Sequence, residues 1–348
     1  MIASRARPAP CPFTDRSHPM SRFANISLVN FPTLPPDEPG RLQKTLDRMC
    51  AYVADAAQEQ SDIVAFPEIC NCLDTADPSD VAEPLDGPTV TALSQAARQH
   101  ELYVVCPLVV SEDGRRYNCA VLIGRKGEIV GVYRKNFPTH GELADGITPG
   151  IETPVFETDF GRVGLCICFD LNYWEVGSGL CQNRAELVIW PSMWAGGRML
   201  SKWAMEFGFN MAAVWKEQST FVDVAGREIL AVKREARDRT GRSPVVTARI
   251  DLDRRLLHPD YNLENLKALF KRHGPTAAFT QWLKQDCHLV FGSQVPGVSS
   301  DQLIEEFGLE TMRDYLARVR RDRKAALAAA AEPVYANGQT LAQDGERI

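Results

Sequence analysis

The sequence predicts an α/β fold built on mixed β-sheets, and two observations predict this class. Short apolar runs typical of buried strands alternate with segments of helical periodicity, which favours parallel strands joined by helices. Two pairs of strands are instead joined by glycine turns, at residues 125–127 and 225–227, which is typical of antiparallel hairpins. Two such sheets packed together, with helices outside, would account for about 230 residues as one domain.

The elements of the first half follow in chain order from their apolar spacing. Alternating apolar residues predict a strand at 24–31, and apolar residues at helical spacing predict a helix at 41–59. An apolar run ended by Pro67 predicts a buried strand at 62–66. The same patterns then predict a helix at 89–100, a strand at 103–110, and hairpin strands at 117–123 and 128–133.

The second half contains fewer clear elements. Apolar runs predict strands at 163–169 and 187–190, and a second hairpin lies within 221–229. After Asp253 the pattern changes to helices with no strand among them. These helices are predicted at 263–272, 277–285, 300–307 and 311–331. The last one carries a basic run at 318–324, for which alternating acidic residues favour a solvated face over a nucleic-acid contact.

The N-terminal stretch differs from the rest of the chain. It mixes prolines with charged residues and has no continuous apolar core for a secretory signal. We interpret residues 1–21 as a disordered leader, or as a stretch upstream of a true start at Met20. The prediction is thus of three regions: the leader, a sandwich domain at 22–254, and a helical C-terminal extension at 255–348 that we expect to mediate oligomerisation.

Composition excludes several classes of function. The 348 residues carry a formal charge of −6, so the cationic surplus of a nucleic-acid-binding protein is missing. No apolar run approaches the ~20 residues needed to cross a bilayer. The ten cysteines are about 3% of the chain, well below the ~8–10% of disulfide scaffolds. Buried free thiols and a cytoplasmic location are expected.

Three polar residues follow predicted strands at positions where α/β proteins gather their sites. Glu68 follows the strand 62–66, Lys135 ends the first hairpin, and Cys168 closes the strand 163–169. A thiolate can attack an electrophilic carbon, a carboxylate can move protons, and an ammonium can stabilise an oxyanion and lower the pKa of a thiol. Each residue alone is better explained as a core thiol, a cap or a surface charge.

The three motifs in order resemble the carbon–nitrogen hydrolase (nitrilase) superfamily. These motifs are Ile63-Val64-Ala65-Phe66-Pro67-Glu68, Tyr133-Arg134-Lys135, and Gly164-Leu165-Cys166-Ile167-Cys168-Phe169-Asp170 with Trp174-Glu175. The resemblance covers about residues 23–253. It implies a four-layer αββα sandwich with two mixed β-sheets and outer helices. It also implies a general base at Glu68, an oxyanion-stabilising Lys135 and a nucleophile at Cys168.

The resemblance implies further site residues. Glu142 falls where the family has a second glutamate, which would hold Lys135 and the leaving nitrogen, although a loop charge is an equally good explanation. The backbone N–H of Phe169 resembles a second oxyanion donor. Trp190, Ser192 and Trp194 match a pocket-lining turn, and the tryptophans indicate an apolar or aromatic acyl group unless they belong to the core. The match weakens at residues 204–208, where the arginine of a family helix is missing.

Neighbouring cysteines allow two further assignments. Cys166 is the rival nucleophile, because it lies on the same face as Cys168 if the strand is extended. The family places its cysteine directly before an aromatic residue and Asp, which favours Cys168. Cys70 and Cys72 form a close pair, but a zinc site needs a second pair and histidine is scarce. We therefore expect no metal and no cofactor.

Phe169-Asp170 after the nucleophile is typical of amide- and carbamoyl-cleaving branches, whereas nitrilases usually have Trp-Glu there. The resemblance thus implies an amidase-type hydrolase that releases ammonia or an amine through a thioester on the cysteine. The competing hypotheses are a nitrilase or N-carbamoyl amino acid hydrolase, and a non-catalytic assembly protein of the same fold.

A Cys-His protease would need an imidazole, and His140 is the histidine near a motif. Neither a G-x-S-x-G sequence nor a P-loop is found.

The expected partners are a small amide, carbamoyl or nitrile substrate and further copies of the chain. Family members commonly pair through helices beside the active-site strand. The roughly 95 residues after Asp253 exceed what a sandwich needs, so the extension is expected in an interface of a homo-oligomer.

Overall fold

A computed structural model describes residues 22–73 and 81–329 of the chain. The predicted leader and residues 330–348 lie outside this range. Within it, no helix is both long and apolar enough to span a bilayer.

Two six-stranded mixed sheets form the centre of the molecule. The first has the order β12-β1-β2-β3-β4-β5, built from β1 (Phe23–Val29), β2 (Ile63–Ala65), β3 (Tyr103–Glu112), β4 (Arg115–Ile123), β5 (Ile129–Arg134) and β12 (Val245–Asp251). The second has the order β11-β10-β9-β8-β7-β6, built from β6 (Val155–Glu157), β7 (Arg162–Leu165), β8 (Leu187–Pro191), β9 (Asn210–Trp215), β10 (Gln218–Val222) and β11 (Glu228–Lys233). Both predicted hairpins are present, as β4–β5 and β10–β11.

The α-helices of the described residues lie around these sheets and in the C-terminal part. They are α1 (Arg41–Gln58), α2 (Pro88–His100), α3 (His140–Ala144), α4 (Trp174–Gln182), α5 (Arg198–Phe207), α6 (Arg234–Asp238), α7 (Leu263–His273), α8 (Ser300–Phe307) and α9 (Met312–Ala329).

Strand β2 shows how the layers form. Successive side chains of a strand point to opposite faces. Ile63 and Ala65 pack between the two sheets, whereas Val64 packs into the apolar layer beneath α1 and α2. Helices α4 and α5 pack on the other side of the second sheet. The order is therefore helices, sheet, sheet, helices, which confirms the predicted αββα sandwich.

The C-terminal part contains helices, as predicted, but also a sheet that was not predicted. Strands β13 (Arg255–Leu257), β15 (His288–Ser293) and β14 (Ala278–Leu283) form an antiparallel sheet in that order. The prediction of a helix at 277–285 is wrong, because all six residues of β14 pair with β15 and this pairing overrides a short helical pattern. Leu269, Phe291 and Leu303 belong to a separate small core here.

Charged contacts connect this C-terminal part to the sandwich. The carboxylate of Glu186, which is 5% exposed, accepts hydrogen bonds from Arg255 at 2.7 Å, Arg22 at 2.5 Å and Arg162 at 3.2 Å. Arg255 also donates to Asp301 of α8 at 2.7 and 2.8 Å. Buried charges are tolerated only when they are paired, so this network fixes the start of β13 against the second sheet.

Candidate active site

A cavity of about 340 Å³ lies where the ends of the sheet strands meet α3. Four residues singled out in the sequence line it together, although they come from three separate segments of the chain. They are Glu68, Lys135, Glu142 and Cys168. Ile69, Val109, Ile147 and Met193 supply an apolar part of the lining.

Glu68 reaches the cavity because β2 ends at Ala65 and the chain turns immediately afterwards. The side chain is only 2% exposed. Its Oε1 accepts hydrogen bonds from Lys135 Nζ and from Asn118 Nδ2, both at 2.8 Å. Its Oε2 is buried and has no hydrogen-bond partner among the described residues. One oxygen of Glu68 is therefore engaged and the other is available for proton transfer.

Lys135 follows β5 and is 1% exposed. Besides Glu68, its ammonium contacts both oxygens of Glu142, at 3.0 and 2.8 Å. Burial by itself lowers the pKa of Lys135, but the negative charges of Glu68 and Glu142 outweigh burial and raise its pKa above the usual value. The amine is therefore held as a cation.

Glu142 is fixed by the short helix α3. Thr139 caps this helix: its hydroxyl accepts from the Glu142 N–H, and its own N–H donates to Glu142 Oε2 at 2.7 Å. Burial raises the pKa of Glu142, but the charge and hydrogen bond of Lys135 lower it by more than this, so its pKa lies below the usual value. Both carboxylate oxygens accept hydrogen bonds, so Glu142 is built to stay ionised.

Asn118 of β4 joins the two glutamates, and sequence reasoning missed it. Its Nδ2 donates to Glu68 Oε1 at 2.8 Å and to Glu142 Oε1 at 2.7 Å. Its backbone carbonyl oxygen accepts from the backbone N–H of Lys135 at 2.8 Å. The only signal in the sequence is a polar residue that starts the apolar half of a strand.

The sequence predicted that Cys168 closes a strand, and this prediction is wrong. Strand β7 ends at Leu165, and Cys168 begins a 3-10 turn that runs to Asn172. The backbone of Cys168 has φ of 44°, a left-handed conformation that is rare for a non-glycine residue. The buried Trp190 indole donates to the Cys168 carbonyl at 3.0 Å and so holds this turn.

The Cys168 thiol is less acidic than expected. We expected the nearby cation to lower its pKa, but burial and then the charge of Glu68 raise the pKa to about 12. Lys135 and hydrogen bonds from Met193 and Ser192 offset only part of this rise. The thiol therefore stays protonated at neutral pH, and its attack needs a base.

The rival thiol of Cys166 has a different environment. It is fully buried and does not line the cavity described above. Burial, followed by the charge of Asp170, raises its pKa well above the usual value. Because the strand has already ended, the two thiols do not share a strand face.

Asp170 supports the turn and was not predicted as a site residue. Its carboxylate accepts hydrogen bonds from the Ile167 N–H at 2.8 Å, the Tyr133 hydroxyl at 2.7 Å and the Phe137 N–H at 2.9 Å. Burial raises the pKa of Asp170 to about 6, and these hydrogen bonds offset only part of that rise. Asp170 therefore connects the cysteine turn to the segment after Lys135.

The remaining predicted residues lie around the cysteine turn. Trp190 is fully buried in the core, and Trp194 packs edge-on against it with ring centroids 5.5 Å apart. Ser192 is buried and accepts from the Trp194 N–H at 3.1 Å. The Phe169 ring packs against Tyr173. In the described part of the chain, Met193 rather than these four residues contributes to the cavity lining.

The residues considered for a metal site and for a cysteine–histidine protease do not line the cavity. The Cys70 thiol donates to the Pro107 carbonyl at 3.0 Å. Within residues 22–73 and 81–329, no cluster of three or more His, Cys, Asp or Glu side chains is arranged to hold a metal ion. His140 is exposed at the start of α3 and is not among the residues lining the cavity.

Comparison with known sequences places this site in context. The carbon–nitrogen hydrolase family model matches residues 26–215, more than half of the chain. Curated relatives include omega-amidase NIT2 of Xenopus tropicalis, 29% identical over 182 residues, covering 49% of this chain and 64% of that protein. An (R)-stereoselective amidase of a Pseudomonas species is 34% identical over 166 residues, covering 47% of this chain and 58% of that protein. The matched part spans less than two thirds of these relatives.

Solved structures share the architecture at low sequence identity. An amidase from Nesterenkonia sp. has a TM-score of 0.58 at 20% identity, covering 75% of this chain and 98% of that chain. Nit3 of Saccharomyces cerevisiae, a member of branch 10 of the nitrilase superfamily, has a TM-score of 0.56 at 18% identity, covering 73% and 95%. At these identities the similarity shows the fold.

Proposed function

The chain belongs to the carbon–nitrogen hydrolase family, and on that premise we propose that it hydrolyses small amides through a thioester on Cys168. One observation carries the proposal: Cys168, Lys135 and Glu68 line a single cavity, and Glu68 keeps one oxygen without a partner among the described residues. A thiol, a charged amine and an available carboxylate oxygen are the groups that this reaction requires.

Thioester formation needs two proton transfers, one from the Cys168 thiol to Glu68 and one from Glu68 to the leaving nitrogen. The Cys168 sulfur attacks the amide carbon while its proton moves to Glu68 Oε2. Lys135 and the backbone N–H of Phe169 stabilise the negative oxygen of the tetrahedral intermediate. Glu68 then gives the proton to the amide nitrogen, the carbon–nitrogen bond breaks, and ammonia or an amine leaves.

Hydrolysis returns the enzyme to its starting state. Water attacks the thioester carbon as Glu68 removes its proton. The carbon–sulfur bond then breaks, the acid is released, and Glu68 returns the proton to the Cys168 sulfur. Glu142 accepts hydrogen bonds on both oxygens, so we assign it to holding Lys135 charged rather than to proton transfer.

The substrate class follows from the cavity and the relatives. About 340 Å³ with an apolar wall fits a small aliphatic amide. The curated relatives carry amidase names, and in a mutant of the Nesterenkonia amidase acrylamide has added to the active-site cysteine. These observations favour amides over the carbamoyl and nitrile substrates of the same family.

The test is ammonia release from matched amides, ureido acids and nitriles, combined with mass spectrometry of the acylated protein. We expect amide turnover, an acyl group on Cys168, and loss of both in Cys168→Ala. Cys166→Ala is the matched control and should retain turnover, because that thiol does not line the cavity. Turnover that persists in Cys168→Ala would refute the mechanism. A wild-type chain that hydrolyses none of these substrates would favour the non-catalytic assembly protein.

We also propose that the region 255–348 pairs copies of the chain, with a boundary at 254. Leu316 and Val319, one turn apart on α9, are 37% and 41% exposed. Residues three apart lie on one face of a helix, so these two side chains define the contact that the proposal requires. Light scattering should report an oligomer for the wild-type chain and a smaller species for the Leu316→Glu/Val319→Glu variant; an unchanged mass would reject this interface.

A further inference from the structure

We propose that Asn118 is a positioning residue for the reaction: its side-chain amide fixes both glutamates and thereby reserves one oxygen of Glu68 for proton transfer. The inference rests on the proposed function, which supplies the proton that this oxygen moves. Asn118 is 3% exposed and lines the cavity, yet it is not part of the Glu-Lys-Cys set that the sequence suggested.

The hydrogen-bonding inventory defines the role of Asn118. A primary amide has two N–H groups on one nitrogen, and here one points to each carboxylate. The amide cannot be turned over, because its carbonyl oxygen would then face two acceptors. Asn118 therefore has one favourable orientation, with its Oδ1 buried and without a partner among the described residues.

This orientation separates the two oxygens of Glu68. Oε1 receives hydrogen bonds from Asn118 and Lys135, and Oε2 receives none among the described residues. If Asn118 did not engage Oε1, the carboxylate could rotate and share the ammonium between both oxygens. The base would then be misplaced relative to the thiol, and misplacement of about 1 Å can cost roughly 10²-fold in rate.

Asn118 also sets the distance between two like charges. Glu68 and Glu142 both approach Lys135, so their carboxylates repel each other across one cation. A donor placed between them lowers that repulsion and holds the spacing. The backbone carbonyl of Asn118 accepts from the backbone N–H of Lys135, so the main chains of the two residues are held side by side.

Removal of the side chain should lower kcat more than it raises KM. We expect Asn118→Ala to lose about 10²-fold in kcat, with KM within about threefold of wild type. Asn71 is the matched control. It is equally buried, donates Nδ2 to the Glu83 carboxylate at 2.8 Å, and is not among the cavity-lining residues. Asn71→Ala should lose thermal stability similarly but keep kcat within about threefold.

Asn118→Asp supplies a readout that a purely structural role would not change. The new carboxyl would face Glu68 from the segment after β2, Glu142 from α3 and Lys135 from the end of β5. When ionised, the new carboxyl group has no hydrogen-bond donor for the two glutamates. When protonated, it has one. Activity relative to wild type should therefore rise as the pH is lowered from 8 to 6. A ratio that stays flat with pH, or a kcat of Asn118→Ala within about threefold of wild type, would overturn the inference.

Alkylation of Cys168 separates this inference from the proposed function. Iodoacetamide reacts with the thiol without needing turnover, and peptide mass spectrometry follows the site. We expect alkylation of Cys168 to slow by about tenfold or more in Asn118→Ala and to be unchanged in Asn71→Ala. If the wild-type chain hydrolyses no amide, the proposed function fails while this comparison still decides the role of Asn118. Equal rates in the three proteins would reject it.

Discussion

The ammonium of Lys135 lies 2.8 Å from Oε1 of Glu68, with both side chains almost completely buried. Charges removed from water are costly unless they are paired, and this pair is completed by Glu142. The groups proposed for catalysis are therefore also a determinant of folding stability.

Lys135→Met should destabilise the protein as well as inactivate it. The variant would leave two carboxylates in the site without their cation, which costs about 3–5 kcal/mol in buried pairs. Urea unfolding measures this loss. Lys44→Met is the control, because Lys44 pairs with Glu38 on the surface and should change stability by less than about 1 kcal/mol. Similar losses in both variants would show that the buried pair has no special energetic role.

Alkylation of Cys168 should depend on Glu68. The pKa of about 12 leaves the thiol protonated at neutral pH, so a base must remove the proton. We expect Glu68→Gln to slow iodoacetamide modification of Cys168 at pH 7 by about 10²-fold or more. Between pH 7 and pH 9 the rate should depend more steeply on pH in Glu68→Gln than in wild type, because the variant has no carboxylate to take the proton, with the exposed Cys287 as internal reference. Equal rates for the two proteins at pH 7 would contradict the role of Glu68 as the base.

Asp170 should give the stability a measurable pH dependence. Its folded-state pKa of about 6 lies above the ordinary 3.8, so the folded chain binds this proton more tightly than the unfolded chain. Ionisation above pH 6 therefore costs stability, and the cost is removed as pH falls through 6. Between pH 7 and pH 4.5 the free energy of unfolding of wild type should gain about 2 kcal/mol relative to Asp170→Asn. Parallel pH profiles of the two proteins in urea unfolding would contradict this.

Arg255→Met should loosen the joint between the sandwich and the C-terminal part. Arg255 is 6% exposed and contacts Glu186 and Asp301. Its loss removes a cation from two acidic groups and should cost about 3 kcal/mol. Arg239→Met, which removes an exposed pair with Glu235, should cost less than about 1 kcal/mol. Equal unfolding midpoints for both variants would show that the network does not hold the two parts together.

Features that depend on local patterns could be predicted from the sequence. The first sheet was predicted nearly strand by strand, because apolar alternation and glycine turns are encoded within each segment. Strands β6, β9 and β12 were not predicted. Strand β6 has only three residues, β9 is buried at nearly every position and so shows no alternation, and β12 pairs with β1 near the start of the chain. The sheet at β13–β15 was also missed, because β13 has only three residues and the segment that forms β14 has an apolar spacing that favoured a helix.

The site shows the same division. Glu68, Lys135 and Cys168 could be chosen because each follows an apolar run and the three motifs occur in a known order. Asn118 could not, because its partners lie 50 and 24 residues away and a polar residue at the start of an apolar run does not reveal them. The positive φ of Cys168 and its raised pKa also arise from packing that the sequence pattern does not contain.

The small sheet after Asp253 has its own apolar interior, with Phe291 and Leu303. It meets the sandwich through charged contacts and through a small apolar cluster that includes Val224 and Leu256. Two interiors joined by so small a contact can open independently of each other. Backbone amides of β14 and β15 should therefore exchange with deuterium sooner than those of β8 and β9, and the C-terminal part could unfold locally while the sandwich keeps its structure.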